Sequence, residues 1–219
     1  MTLGLRGASF RGRAPLLLAG AGVALLTAAG VVACQSRPAP DVGGPAVSAM
    51  ASEVPSPKEV PSPKKGKAST EGPATVRIPA IEVDAAVGPV GVDAKTGDIE
   101  VPEEVDRLGW YRFGPGLNAE KGSIVVTGHV DSAAQGKGAF FKLEKLSPGD
   151  KVTVTGTDGG SREFEVVARE RYAKTKIPLE RYFARDGAPR LTLITCGGPF
   201  DATTRHYRDN IVVTARPLP

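Results

Sequence analysis

The chain has 219 residues, with 28 Lys and Arg, 24 Asp and Glu, 2 Cys and 2 His. Its net charge of +4 sits wholly in the first third: residues 1–73 carry 8 basic and 4 acidic side chains, and residues 74–219 carry 20 of each. A neutral folded region lacks the basic face that a nucleic-acid binder needs, two cysteines exclude a disulfide-stapled scaffold and multi-cysteine zinc sites, and two histidines leave little for a His-rich metal centre.

In chain order, residues 1–14 carry Arg6, Arg11 and Arg13 and no acid, and residues 14–34 carry no charge. A basic start followed by an apolar run has the pattern of an export signal. The run is about long enough to span a bilayer core of ~30 Å, and the Arg-rich start then stays inside, with everything after it outside. Two fates fit residues 1–34: an uncleaved membrane anchor, or a lipoprotein, because Val31-Val32-Ala33-Cys34 resembles a bacterial lipoprotein box. Either one tethers the rest to the outer face of the membrane. Residues 35–73 hold 8 prolines and no aromatic residue, with the near-repeat EVPSPKEVPSPKK at 53–65. Such a composition buries too little apolar surface to fold, and its prolines favour extended chain. This stretch reads as an extracellular spacer, with Lys58, Lys64, Lys65 and Lys67 as solubilising charges.

Residues 74–219 read as one all-β domain. Short runs rich in β-branched residues recur at 123–127, 151–155, 162–168, 191–195 and 211–214, after a strand-rich opening from Ala74. Gly-rich Thr157–Gly160 between two alternating runs predicts a hairpin. Helix is expected over Ile177–Arg185 and over Gly138–Leu146. Turn signals every dozen residues or so argue for a closed barrel or a sandwich rather than βαβ units.

Two apolar strands end in reactive residues. Ile124–Thr127 runs through Gly128 into His129, and Leu191–Thr195 runs into Cys196, followed by Gly197 and Gly198. Glycines beside a reactive residue let other backbone approach closely. A lone Cys in an exported domain has no disulfide partner inside that domain, so it is either buried and inert or a free thiol. A Cys with one distant His is the minimal set for thiol acyl transfer.

The stretches TGHVDS at 127–132, LTLITCGG at 191–198 and FDATTRHYRDNIVV at 200–213, together with the opening TVRIPAIEVDAAV, resemble sortases, the cysteine transpeptidases of Gram-positive cell surfaces. CGG after the strand and the Tyr-x-Asp-Asn approach to the last strand are similar to the class F sortases of actinobacteria. The resemblance covers about residues 74–219, and the basic start, apolar run and Pro-rich spacer fit the family's layout. It implies a closed eight-stranded β-barrel with His129 and Cys196 facing each other across one end. It also implies a catalytic arginine before or on the last strand. Arg205 and Arg208 are the candidates; Arg208 is preferred because it lies closer to the strand, and His206 between them reads as a loop residue.

The resemblance implies the reaction too. A secreted protein bearing a Leu-Pro-x-Thr-Gly-like sorting signal is cleaved between Thr and Gly through a thioacyl-enzyme. Its acyl group then passes to a peptidoglycan precursor or another amine acceptor. Thr195 is a candidate to steady the substrate. Ile177 and Leu179, with Pro178, Tyr182 and Phe183, are candidates to line a groove for the apolar end of the signal. No carboxylates stand at calcium spacing, so no metal is expected, and no cofactor. Two other readings stand beside this one: a cysteine peptidase that hydrolyses its acyl-enzyme, and a catalytically inactive surface-binding module.

Overall fold

The computed structural model describes residues 40–51 and 71–219. The expected anchor and Cys34, and residues 52–70 of the Pro-rich stretch, lie outside the described residues. Eight strands close into a barrel. Strand β1 (Pro73–Ile78) pairs antiparallel with β2 (Val83–Val90) on one side, where Val76 faces Ala85, and with β7 (Lys151–Gly156) on the other, where Val76 faces Val154. From β2 the sheet continues through β3 (Leu108–Tyr111), β4 (Ser123–Gly128), β9 (Arg190–Asp201), β10 (His206–Pro217) and β8 (Ser161–Ala173), which returns to β7. The β2–β3 and β4–β9 ladders are parallel; the others are antiparallel. A two-stranded ribbon, β5 (Asp131–Ser132) and β6 (Gly136–Lys137), follows β4.

Period-2 alternation decides which side chains enter the barrel. Val152 and Val154, Phe164 and Val166, Leu191 and Leu193, and Ile211 and Val213 all point inward and are fully buried or nearly so. Burial of such side chains at roughly 25 cal/mol per Å² supplies the main driving force for closure. The other face of the same strands is not simply wet. Val125 of β4, Ala168 of β8, Ile194 of β9 and Val212 of β10 form a second apolar cluster outside the barrel with Tyr182. Ile99, Tyr111, Tyr172, Ile177 and Phe183 pack against it, partly buried.

The expected hairpin is present: β7 and β8 flank the 157–160 turn, and Gly156 N–H donates to the Gly160 carbonyl at 2.7 Å. Helix is shorter than the sequence suggests. Of Ile177–Arg185, only α2 (Leu179–Tyr182) is helical, started by Pro178 and closed by the Phe183 N–H on the Leu179 carbonyl. In 138–146 a single 3-10 turn forms, at Leu143–Lys145.

Within the stretch read as a spacer, residues 40–51 are folded onto the barrel. Val42 exchanges both backbone hydrogen bonds with Arg169, at 2.9 Å each. This continues the edge of β8 where β7 has ended, since β7 pairs only as far as Glu165. Helix α1 (Gly44–Ala51) then buries Val47 to 1% exposure in the outer cluster.

Candidate active site

Register brings the two reactive residues together. In the parallel β4–β9 ladder Thr127 faces Ile194, so Cys196 lies two residues further along β9 and His129 two residues further along the chain, just past the end of β4. Neighbouring strands run about 4.8 Å apart. Counting by twos along β9, Cys196 shares the outer face with Ile194 of the outer apolar cluster, and His129 follows directly after Gly128, the last residue of β4. The Thr195 hydroxyl donates to the Gly128 carbonyl at 2.8 Å, tying the strand ends together one residue before the pair. Cys196 is a free thiol, half-buried.

The backbone that follows His129 is held tightly. Gly138 N–H donates to the Val130 carbonyl at 2.9 Å and Phe140 N–H to the His129 carbonyl at 3.0 Å. A side chain at Gly138 would put its Cβ 2.3 Å from the His129 carbonyl oxygen, so this close passage requires glycine. His129 Nε2 lies 2.7 Å from the Pro102 carbonyl. A carbonyl only accepts, so Nε2 carries the hydrogen. In the neutral ring Nδ1 is then the proton acceptor.

The last strand supplies the third side of the rim. Asn210 faces Cys196 and Asp209 faces Gly197. Between Tyr207 and Asp209 the register shifts, because Gly198 and Pro199 of β9 oppose Arg208 alone. Gly198 has φ +73, and a Cβ there would lie 2.1 Å from Asp209 Oδ2. Arg208 Nη2 donates to Asp201 Oδ2 at 3.0 Å. The Asp201 carboxylate also accepts the Thr203 and Thr204 N–H groups. Those backbone bonds first, then Arg208, hold it below the usual aspartate range. Arg205 sits exposed in the turn of the hairpin with φ 58. Of the two candidate arginines, Arg208 is thus nearer along the ladder to Cys196.

Tyr207 completes this wall. Its hydroxyl donates to Asp131 Oδ2 at 2.7 Å, and its ring meets Phe200 edge-on at 5.2 Å. The hydroxyl is pushed up to about 12, first by the bond to Asp131, then by burial and by the charges of Asp131 and Cys196.

Ile177 is half-buried against the outer cluster, and Leu179 is 50% exposed at the start of α2. Helix α2 is pinned from below. The buried Glu170 carboxylate accepts the Tyr182 hydroxyl at 2.7 Å and the Tyr172 hydroxyl at 3.0 Å, with Arg181 at 3.6 Å. Burial and the neighbouring carboxylate push the Tyr182 hydroxyl strongly up, so it is a permanent donor. No signal in the sequence assigns Pro102, Tyr207 or Glu170 a role at the site. Asp131 had one visible signal, its place two residues after His129. Among the described residues no group of three or more His, Cys, Asp or Glu is arranged to hold a metal, and no helix is long and apolar enough to cross a membrane.

The sortase domain model matches residues 76–218, which take in the barrel from the middle of β1 onward. The chain belongs to the sortase family, the cysteine transpeptidases associated with bacterial cell-surface membranes. Solved structures agree on the fold. The pilus-related sortase C of Group B Streptococcus superposes with TM-score 0.52 at 16% identity, over 69% of each chain. Sortase A from Corynebacterium diphtheriae, a lid mutant, gives TM-score 0.51 at 22% identity over 72% of this chain and 75% of that one. Sortase C1 of Streptococcus agalactiae in complex with MTSET gives 0.51 at 22% identity over 66% of each. Among curated proteins no sequence matches.

Proposed function

We propose that this sortase cleaves a Leu-Pro-x-Thr-Gly-like sorting signal between Thr and Gly and joins the acyl half to an amine of the cell wall. The observation that carries the reading is the parallel register of β4 and β9. The free thiol of Cys196 on β9, the His129 imidazole with Nε2 on the Pro102 carbonyl just past β4, and the outer apolar cluster on the same strands support it.

The chemistry follows from those groups. The Cys196 proton moves to His129 Nδ1, while Nε2–H stays on the Pro102 carbonyl and supports the imidazolium. The thiolate attacks the Thr carbonyl carbon, and the C=O electron pair moves onto oxygen. Collapse re-forms C=O and breaks the C–N bond; the departing Gly nitrogen takes the proton from His129. The incoming amine attacks the thioester, His129 accepts its proton, and the sulfur leaves as thiolate. Arg208 is the group we assign to hold the carbonyl and the oxyanion, through the fixed donors of its guanidinium. Its exchange from Asp201 to substrate needs only side-chain rotation, because both partners lie at the exposed hairpin.

The outer cluster beside α2 is the groove we assign to the apolar end of the signal, with Ile177 and Leu179 along it and Thr195 bracing its floor through Gly128. CGG at 196–198 and Tyr207-x-Asp209-Asn210 favour the actinobacterial class F group. Residues 1–34 would hold the enzyme to the outer face of the membrane, as anchor or through a lipidated Cys34.

The test uses the full chain with a sorting-signal peptide and an added amine. Wild type is expected to give a joined product, Cys196→Ala no cleavage, and His129→Ala a loss of several orders of magnitude. Arg208→Ala is expected to lose activity while Arg205→Ala retains it. Cleavage by Cys196→Ala would end the thiol mechanism, and release of free acid with no joined product would make the enzyme a hydrolase.

A further inference from the structure

We infer that Tyr207 is a positioning residue, which fixes His129 relative to Cys196 by donating its hydroxyl proton to Asp131. This rests on the reading of Cys196 and His129 as the reacting pair.

His129 lies just past the barrel ladders: β4 pairs with β3 up to Gly128 and with β9 up to Thr127. A residue beyond the end of a strand is free to drift unless other bonds hold it. Besides the Phe140 and Gly138 N–H bonds to the His129 and Val130 carbonyls and the Nε2 bond to Pro102, two cross-strand bonds bracket it. On the near side, the Thr195 hydroxyl holds the Gly128 carbonyl at 2.8 Å. On the far side, the Tyr207 hydroxyl holds the Asp131 carboxylate at 2.7 Å, across 76 residues of sequence. The first bond comes from the residue before Cys196. The second comes from the hairpin arm beyond Asn210, the residue opposite Cys196.

The far bond is built to last. A hydrogen bond to a carboxylate is about twice as strong as one between neutral groups. Phe200 packs edge-on against the Tyr207 ring and limits its swing. The start of β5 is itself paired, Asp131 with Lys137, so a pull on Asp131 is passed to the chain that follows His129. Since the tyrosine proton is committed to Asp131, Tyr207 is not itself the acid or base of the reaction. Its effect is on the sulfur-to-imidazole gap, and proton transfer depends steeply on that gap. A misplacement of about 1 Å costs roughly a hundredfold in rate.

The experiment compares Tyr207→Phe, Asp131→Ala, Asp131→Asn and the Tyr207→Phe/Asp131→Ala double variant in the full chain, each checked for native circular dichroism. Tyr207→Phe and Asp131→Ala are expected to lower kcat roughly ten- to a hundredfold with KM little changed. Asp131→Asn keeps an acceptor oxygen and is expected to stay within about threefold of wild type. The double variant is expected to be no worse than either single one, since both remove the same bond. In parallel, the rate at which a methanethiosulfonate reagent modifies Cys196 is measured without peptide. It should fall in Tyr207→Phe and not in Asp131→Asn. A wild-type kcat and modification rate in Tyr207→Phe, an effect confined to KM, or Asp131→Asn as damaged as Asp131→Ala would each overturn the inference. If the wild-type chain joins no peptide at all, the proposed function fails. The modification rates then still decide whether Tyr207 positions the pair.

Discussion

Tyr207 keeps its proton well beyond neutrality, and this has a consequence for stability. Its folded value is about 12 against an ordinary 10, so its contribution is fully present below pH 10 and is lost as pH rises from 10 to about 12. Urea midpoints of wild type and Tyr207→Phe, measured from pH 9 to 12, are therefore expected to converge across that window; a constant gap would contradict the bond to Asp131. Gly198 makes a second residue-scale prediction. With φ +73 and Asp209 2.1 Å from any Cβ, Gly198→Ala is expected to cost at least roughly 1–2 kcal/mol by urea denaturation. Cys196 and His129 were legible because each ends an apolar run beside glycine. Pro102 and Tyr207 were not. Their contacts join residues 27 and 76 apart, and one of them uses a backbone carbonyl that no side-chain pattern announces.

The elements extend beyond their apolar runs. The run at 162–168 predicts half of β8; the remainder, through the charged Arg169–Arg171, is strand because β10 pairs with it as far as Ala173. Likewise β9 and β10 continue past Thr195 and before Ile211 into a polar hairpin that carries Phe200, Asp201 and Tyr207. Pairing decided these extensions, and composition did not reveal them. The helix expected at 177–185 shrinks to four residues because the segment closes over Glu170 and the outer cluster rather than running freely. Residues 40–51 show the same limit from the other side. A Pro- and Gly-containing stretch with a single well-placed valine folds because β8 offers an unpaired edge and a hole for Val47. Val47→Ala is expected to cost roughly 1–3 kcal/mol, read as a shifted urea midpoint. No shift would mean that α1 does not dock in solution.

At the scale of the molecule, one barrel makes two apolar surfaces from the same strands. Inward residues close the core, and outward residues of β4, β8, β9 and β10 make the floor that runs up to the rim. The closed eight-stranded fold followed from motif resemblance, because turn spacing alone fits a barrel or a sandwich equally. The parallel β4–β9 contact, which no local pattern encodes, is what lays the end of β4, with His129 just beyond it, alongside the stretch of β9 that leads to Cys196. The most direct test of that arrangement is intact-protein mass spectrometry of the full chain, mixed with a sorting-signal peptide and no added amine. The account predicts an adduct of the peptide's acyl half, mapped to Cys196, cleared by hydroxylamine and absent in Cys196→Ala. An adduct that persists in Cys196→Ala, or peptide cleavage with no adduct on Cys196 even after rapid acid quench, would contradict it.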